Sequence, residues 1–184
     1  FYTFSPYHFL DIYVRGSVGE VWSLALAPAL FWSYHSYYES NRKIFFVLSS
    51  IFLGLLILAH NILALVFFGF FILYSLFLIH NSKEKKLLIV NTILIIFSGL
   101  GLSSPFWLPA LLETQYVVGL QVFDPTQHFP VLYKLIYSSW GYAFSGTNEQ
   151  DQMSFQIGIA NLIALAGSFF VFIGTKNRAI LFFI

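Results

Sequence analysis

The 184-residue sequence has no cysteine, and only 9% of its residues are Asp, Glu, Lys or Arg. Without cysteine, neither a disulfide framework nor a zinc site with thiolate ligands can form. Soluble domains carry about a quarter charged residues, so this shortage of charge disfavours a soluble protein. A glycine-rich phosphate loop and a nucleophile elbow are also missing. The basic residues are not interleaved with aromatic residues, so we expect no nucleic-acid partner.

Hydrophobic residues are what the chain has in abundance. They make up 58% of it, aromatic residues make up 21%, and the mean hydropathy is +0.77. This composition predicts an all-α fold, a polytopic bundle of transmembrane helices surrounded by the lipid bilayer. The chain begins at Phe1 without a methionine and ends inside an apolar run. We therefore expect residues 1–184 to be a fragment of a single transmembrane domain.

About six spans are predicted from the apolar runs. Five lie at residues 18–38, 44–59, 62–79, 87–102 and 155–173, and a sixth begins after residues 174–178. At about 1.5 Å per residue, runs of 16 to 21 residues extend about 24–31 Å, which matches the hydrocarbon core of a bilayer.

The basic residues predict the orientation of these spans. Three short loops, 39–43, 80–86 and 174–178, hold seven of the nine Lys and Arg residues. By the positive-inside rule these loops are cytoplasmic. The opening segment, the 60–61 turn and the long segment 103–154 then share the external face. We expect a multi-pass protein of the plasma (inner) membrane.

Segment 103–154 is the one long polar stretch, and it is predicted to be an external loop. It is too rich in aromatic residues and leucine to be disordered. Pro109 and Pro130 each precede a helix-like run, and proline suits the first turn of a helix. Short helices at 110–118 and 131–139, lying along the membrane surface, are therefore expected.

Charged residues surround the entry to the first span. Asp11 and Arg15 are four residues apart, so they lie on one face of a helix, and Glu20 follows at the start of the span. As a surface ion pair and a snorkelling carboxylate they would contribute little. Charges beside an apolar membrane segment are costly, however, and persist where a polar ligand needs them. With Gly16 and Gly19 permitting close backbone approach, we favour a binding role.

His60 and Asn61 interrupt two apolar runs, and two interpretations stay open. They form either a tight turn with Asn61 in the left-handed conformation, or part of a polar cavity, because His near lipid usually faces water. Glu113 and His128 are likewise either solvated loop residues or part of that cavity. No His or Glu stands three or four residues from His60, so no metal site is indicated.

Five blocks of sequence carry a family resemblance. In order they are DIYVRGSVGE (11–20), LAHNILAL (58–65), LSSPFWLPALLE (102–113), SSWGYAFSG (138–146) and DQMSFQIG (151–158). The fourth block begins ten residues after His128. Their order and spacing resemble a family of prokaryotic polytopic membrane proteins labelled "6-pyruvoyl-tetrahydropterin synthase-related domain, membrane protein". Despite that label, the family is similar to GT-C type glycosyltransferases and to the YfhO-related group.

The resemblance implies transfer of a sugar from a polyprenyl-phosphate-linked donor to an envelope or protein acceptor on the external face. GT-C enzymes carry an acidic residue in their first external loop, which we expect to precede this fragment, so the catalytic residue stays unknown. The candidates for binding the donor are Asp11, Arg15, Glu20, His60, Asn61, Glu113 and His128. Arg15 and Lys134 are the two permanent cations on the predicted external face, and only Arg15 can hold a phosphate in a bidentate fork. The cofactor stays unknown: a divalent metal is not excluded, but nothing indicates one.

Two alternatives to an enzyme remain. One is a transporter or flippase for a lipid or glycan, in which the same charges line a path. Transporters tend to have polar residues at the midplane and broken helices, whereas the polar positions here stand mainly at span ends. The other is a non-catalytic scaffold subunit of an envelope assembly, which would leave the charges without a specific ligand.

Overall fold

The computed structural model describes residues 5–116, 132–141 and 154–175. Every regular element in these ranges is helical. The helices are α1 (Pro6–Leu10), α2 (Val18–Ser40), α3 (Lys43–Ala59), α4 (Asn61–Asn81), α5 (Lys85–Leu112) and α6 (Ile159–Thr175). The described residues divide into two compact units, one within residues 1–18 and 119–184 and the other within residues 19–118.

The second unit is built from α2 to α5, which run alternately up and down. Gly19 near the start of α2 lies against Ala59 at the end of α3, so these two helices are antiparallel. Each helix buries one narrow stripe of residues. On α2 the spacing alternates between three and four residues, which is the seam of a helical bundle. That stripe contains Glu20, Ser23, Ala27, Leu30, Tyr34 and Tyr37, and Ser33 is buried beside Tyr34.

Small residues bring α3 and α5 close together. Gly54 on α3 and Gly99 on α5 face each other, and a Cβ atom added at Gly99 would lie 2.8 Å from the Leu53 side chain. Small residues let helix backbones approach closely, which is how helices associate in a membrane, where lipid is as apolar as leucine. The contact therefore depends on shape and not on the removal of apolar surface from water.

Many large apolar side chains lie on the surface of the second unit. Leu65 is 74% exposed, Phe97 is 69% exposed and Leu73 is 56% exposed. The buried stripes, by contrast, contain Ser23, Ser33 and other hydroxyl residues. A soluble bundle places its apolar residues inside, so this arrangement fits helices surrounded by lipid.

Two of the described helices, Asn61–Asn81 and Lys85–Leu112, are both long and apolar enough to cross a membrane. Only 28% of the most apolar stretch of each is buried, unlike the core helix of a soluble protein. Lys43–Ala59 and Ile159–Thr175 are apolar but shorter. The predicted bounds of α3 and α4 agree with the structure to within two residues. Six spans remain a prediction, and the sixth falls outside the described residues.

The prediction that a loop begins at residue 103 is wrong, because α5 continues through Pro105 and Pro109 to Leu112. Its 28 residues extend about 42 Å. Pro105 has no N–H to offer the Gly101 carbonyl, and the Ser104 hydroxyl donates to that oxygen instead, at 2.8 Å. Proline is tolerated in apolar helices when a neighbouring group satisfies the freed carbonyl. Residues 110–112 are therefore the end of α5 and not the start of a surface helix.

The surface helix predicted at 131–139 is also absent from its described part. Only one 3₁₀ turn forms there, Leu132–Leu135, and residues 137–141 are not helical. The Leu135 carbonyl accepts the N–H of Ile157 at 2.9 Å, so this backbone pairs with the segment before α6. Residues 154–158 are likewise not helical, and α6 begins at Ile159, four residues later than predicted.

Candidate binding sites at the helix ends

Asp11 and Arg15 form an ion pair in the first unit. Residues Asp11–Arg15 make a π-helical turn that continues α1, and it ends at Gly16 in the left-handed conformation (φ 61°). Arg15 Nη1 donates to Asp11 Oδ1 at 3.0 Å and to the Tyr7 hydroxyl at 2.8 Å. The pairing follows from the four-residue spacing in the sequence. Glycine suits position 16 because it has no Cβ to hinder a positive φ.

The two members of this pair differ in exposure. The Asp11 side chain is fully buried, whereas one third of the Arg15 side chain is exposed. A buried carboxylate needs a compensating charge, and Arg15 supplies it while presenting part of the guanidinium outward. Burial also lowers the pKa of the nearby His8, because desolvation disfavours its charged form. The exposed positive charge at this position therefore comes from Arg15.

Glu20 and His60 come together in the second unit. Glu20 is 6% exposed in the first turn of α2, and His60 is the N-cap of α4. His60 Nδ1 accepts the Leu63 N–H at 3.3 Å, so the hydrogen of the neutral ring is on Nε2. Nε2 lies 3.8 Å from Glu20 Oε1, which is longer than a hydrogen bond. Gly19 allows this approach, because a Cβ there would overlap the Ala59 carbonyl.

The tight-turn interpretation placed Asn61 in the left-handed conformation, and the structure does not show this. Asn61 is the first residue of α4, and its side chain accepts the Ile62 N–H at 2.8 Å. The left-handed asparagine is Asn41 (φ 51°), between α2 and α3. The turn between α3 and α4 is made instead by His60, whose extended backbone (φ −160°) reverses the chain. His60 therefore serves as the N-cap of α4, a role that the sequence pattern did not predict.

The remaining predicted site residues lie apart from these pairs or outside the description. Glu113 is exposed at the end of α5. His128 falls outside the described residues. The structure thus brings together Asp11 with Arg15, and Glu20 with His60, in two separate units. The described parts of the chain contain no group of three or more His, Asp or Glu side chains suited to a metal ion.

A polar cluster inside the second unit was missed by the sequence analysis. Residues 33–37 of α2 reach all three neighbouring helices, and we call them the α2 hub. Their hydrogen bonds are Ser49 to Ser33 (3.0 Å), Tyr34 with Thr92 (2.6 Å), Tyr74 with His35 (2.7 Å) and Asn91 to Tyr37 (2.6 Å). His35 Nε2 also lies 3.2 Å from Glu39 Oε1. The signal was available in the run SYHSYY, set within an otherwise apolar span.

Comparison with known families gives a match that extends over residues 1–184. The chain belongs to the family described as "6-pyruvoyl-tetrahydropterin synthase related domain; membrane protein". No curated protein matches the chain, and neither does any solved structure. This 6-pyruvoyl-tetrahydropterin synthase related family is one of membrane proteins, so the exposed leucine and phenylalanine side chains of α4 and α5 have a bilayer to contact. The resemblance noted from the five sequence blocks is confirmed at the level of the family.

Proposed function

We propose that this protein transfers a sugar from a polyprenyl-phosphate-linked donor to an acceptor in the cell envelope. In this proposal it is a multi-pass protein of the plasma membrane that works at the external face, and Arg15 binds the donor phosphate. The observation that carries the proposal is the pairing of a fully buried Asp11 with a partly exposed Arg15, immediately before α2.

The geometry of Arg15 suits a phosphate. Asp11 Oδ1 and the Tyr7 hydroxyl both accept from Nη1, so they restrict the orientation of the guanidinium while a third of the side chain stays exposed. A planar guanidinium held in one orientation can bind two phosphate oxygens at once. An ammonium group lacks that fork.

The exterior of the helices suits the lipid part of such a donor. Leu65, Leu73 and Phe97 are among the exposed apolar side chains of α4 and α5. A polyprenyl tail can lie against such a surface without leaving the bilayer. Its phosphate then stays at headgroup depth, where the guanidinium of Arg15 is proposed to bind it.

Within the second unit, Glu20 and His60 are proposed to form a polar pair that binds a sugar hydroxyl, as a proposal separate from the phosphate contact of Arg15. Glu20 supplies a carboxylate, which accepts hydrogen bonds from hydroxyl groups, and His60 supplies an N–H from Nε2. Because His60 Nδ1 is engaged by the Leu63 N–H, the ring is held with Nε2 toward Glu20. One acceptor and one donor, held near each other, are what recognition of a sugar hydroxyl requires.

Donor binding by Arg15 variants tests the proposal. A bidentate charge-assisted contact contributes about 1.5–3 kcal/mol, so Arg15→Ala in the full-length protein should weaken binding of a polyprenyl-phosphate sugar by roughly 10- to 150-fold. Arg15→Lys keeps the charge without the fork, and its affinity should fall between the two. The matched control is Arg42→Ala, which removes a guanidinium lying 5.9 Å from the Phe45 ring at the other end of α2 and should leave affinity unchanged. Unchanged binding by a folded Arg15→Ala protein would rule out the phosphate role.

Lipid or glycan transport is the second candidate, and the α2 hub is the observation that favours it. Polar residues inside helices are typical of transport paths. The hydroxyls of Ser33, Tyr34 and Tyr37, however, are each hydrogen-bonded within the bundle, which suits packing as well. A transporter would move the labelled lipid between leaflets of a vesicle without releasing its sugar to an acceptor.

A further inference from the structure

A cavity of about 310 Å³ lies in the second unit, at the opposite end of α2 from Glu20. It is formed where α2 ends, α4 ends and α5 begins. We call it the basic-end cavity, since the two loops that contribute to its lining, 39–43 and 80–86, carry five Lys and Arg residues between them. Its lining includes Tyr37, Tyr38, Asn41, Lys83, Glu84 and Leu87. The volume is at the lower limit of small-molecule sites, about 300–1,000 Å³.

The lining combines both signs of charge with apolar surface. Lys83 and Glu84 are consecutive in the chain, and both line the cavity. Tyr37 and Tyr38 add aromatic rings with hydroxyl groups, and Leu87 is the first apolar residue of α5. A ligand that matches this lining has a phosphate for Lys83, an ammonium for Glu84 and the rings, and an apolar portion beyond them.

We propose that the basic-end cavity binds the phosphoethanolamine head group of a membrane phospholipid, with the phosphate on Lys83 and the ammonium on Glu84. The family is one of membrane proteins, and the cavity lies where polar loop residues give way to the apolar helix α5, the arrangement expected at the level of lipid head groups. Glu84 decides between lipid classes. The Glu84 carboxylate would repel a head group with net negative charge, whereas the ammonium of a zwitterionic head group can form an ion pair with it. The inference is independent of the proposed sugar transfer.

Lipid binding to the purified full-length protein, followed by native mass spectrometry, tests this inference. Phosphatidylethanolamine should stay bound more strongly than phosphatidylglycerol, which has no ammonium group. It should also bind more strongly than phosphatidylcholine, whose quaternary ammonium cannot donate a hydrogen bond to Glu84. Equal retention of phosphatidylethanolamine and phosphatidylglycerol would overturn the proposal.

Three single variants locate the binding. Lys83→Ser and Glu84→Gln should each lower phosphatidylethanolamine affinity by about tenfold or more, the loss expected for one charge-assisted contact. Neither should harm folding, because both residues are exposed and the Glu84 side chain makes no cap hydrogen bond to α5. The matched control is Lys86→Ser, which removes an exposed lysine that does not line the cavity. A loss at Lys86 as large as that at Lys83 would show general attraction to the basic loops and would refute the site.

Glycerophosphoethanolamine, which is the head group without acyl chains, separates a lipid site from a site for a soluble zwitterion. Its binding should be much weaker than that of the intact lipid, since Leu87 and the apolar start of α5 would have nothing to contact. Binding as tight as that of the lipid would contradict the proposed lipid occupant.

Discussion

The hydrogen bond between Tyr34 and Thr92 allows one prediction to be made in detail, because its direction can be worked out. Thr92 Oγ1 donates to the Leu88 carbonyl at 2.6 Å, and this uses its single hydrogen. The Tyr34 hydroxyl, 2.6 Å away, must then donate to Thr92 Oγ1. The two side chains are 0% and 4% exposed, so water cannot replace either partner.

The two truncations should therefore have unequal effects on the free energy of unfolding. Thr92→Val removes the acceptor and leaves the Tyr34 hydroxyl buried without a partner, which costs about 1–3 kcal/mol. Tyr34→Phe leaves the Thr92 hydroxyl still donating to Leu88, and the loss should be about 0.6 kcal/mol, with an upper bound near 1.7. The double variant should resemble Tyr34→Phe alone, since no tyrosine hydroxyl is then left buried.

These free energies can be measured by unfolding the purified protein in lipid bicelles with the steric-trapping method. The control is Tyr116→Phe, which removes a hydroxyl from a side chain that is 75% exposed and should change stability by less than about 0.5 kcal/mol. A larger loss for Tyr34→Phe than for Thr92→Val would refute the direction of the bond and its role in joining α2 to α5.

Two further predictions concern packing and topology. Gly99→Ala should destabilise the protein by about 1–3 kcal/mol, because the added Cβ would overlap Leu53. In the same unfolding measurement Gly101→Ala should be neutral or stabilising, since a Cβ there meets nothing within 4 Å. Equal losses for the two variants would contradict the close contact of α3 with α5. Single cysteines at Ser82 and Thr114, before and after α5, should react with an impermeant thiol reagent from opposite sides of the membrane, and reaction of both from one side would contradict a spanning α5.

The sequence predicted the bounds of those helices that end where polar or charged residues interrupt an apolar run. The bounds of α3 and α4 agree with the structure because ESNRK, HN and HNSKEKK interrupt apolar runs where the helices end. The pairing of Asp11 with Arg15 also followed from spacing alone. In each case the decisive information lies within a few residues of the feature.

The wrong or missing predictions arose where a neighbouring group changes which structure a residue can adopt. Segment 103–154 was predicted to be a loop, with Pro109 before a new surface helix, yet the Ser104 hydroxyl satisfies the carbonyl that Pro105 leaves free, and α5 continues. The α2 hub was missed because hydropathy averaged over a span hides a short polar run. Its partners, such as Thr92 and Tyr74, are 39 to 58 residues away along the chain, and one sequence cannot show which helices meet.

The measurement that tests the central claim most directly is sugar transfer by the purified full-length protein in lipid vesicles, with a polyprenyl-phosphate donor radiolabelled in its sugar. We predict that label moves to an envelope acceptor with the wild-type protein, and that Arg15→Ala reduces this transfer at limiting donor by roughly 10- to 150-fold. Arg42→Ala should leave it unchanged. Movement of the intact labelled lipid between leaflets, with no label transferred to acceptor, would contradict the enzyme and support transport.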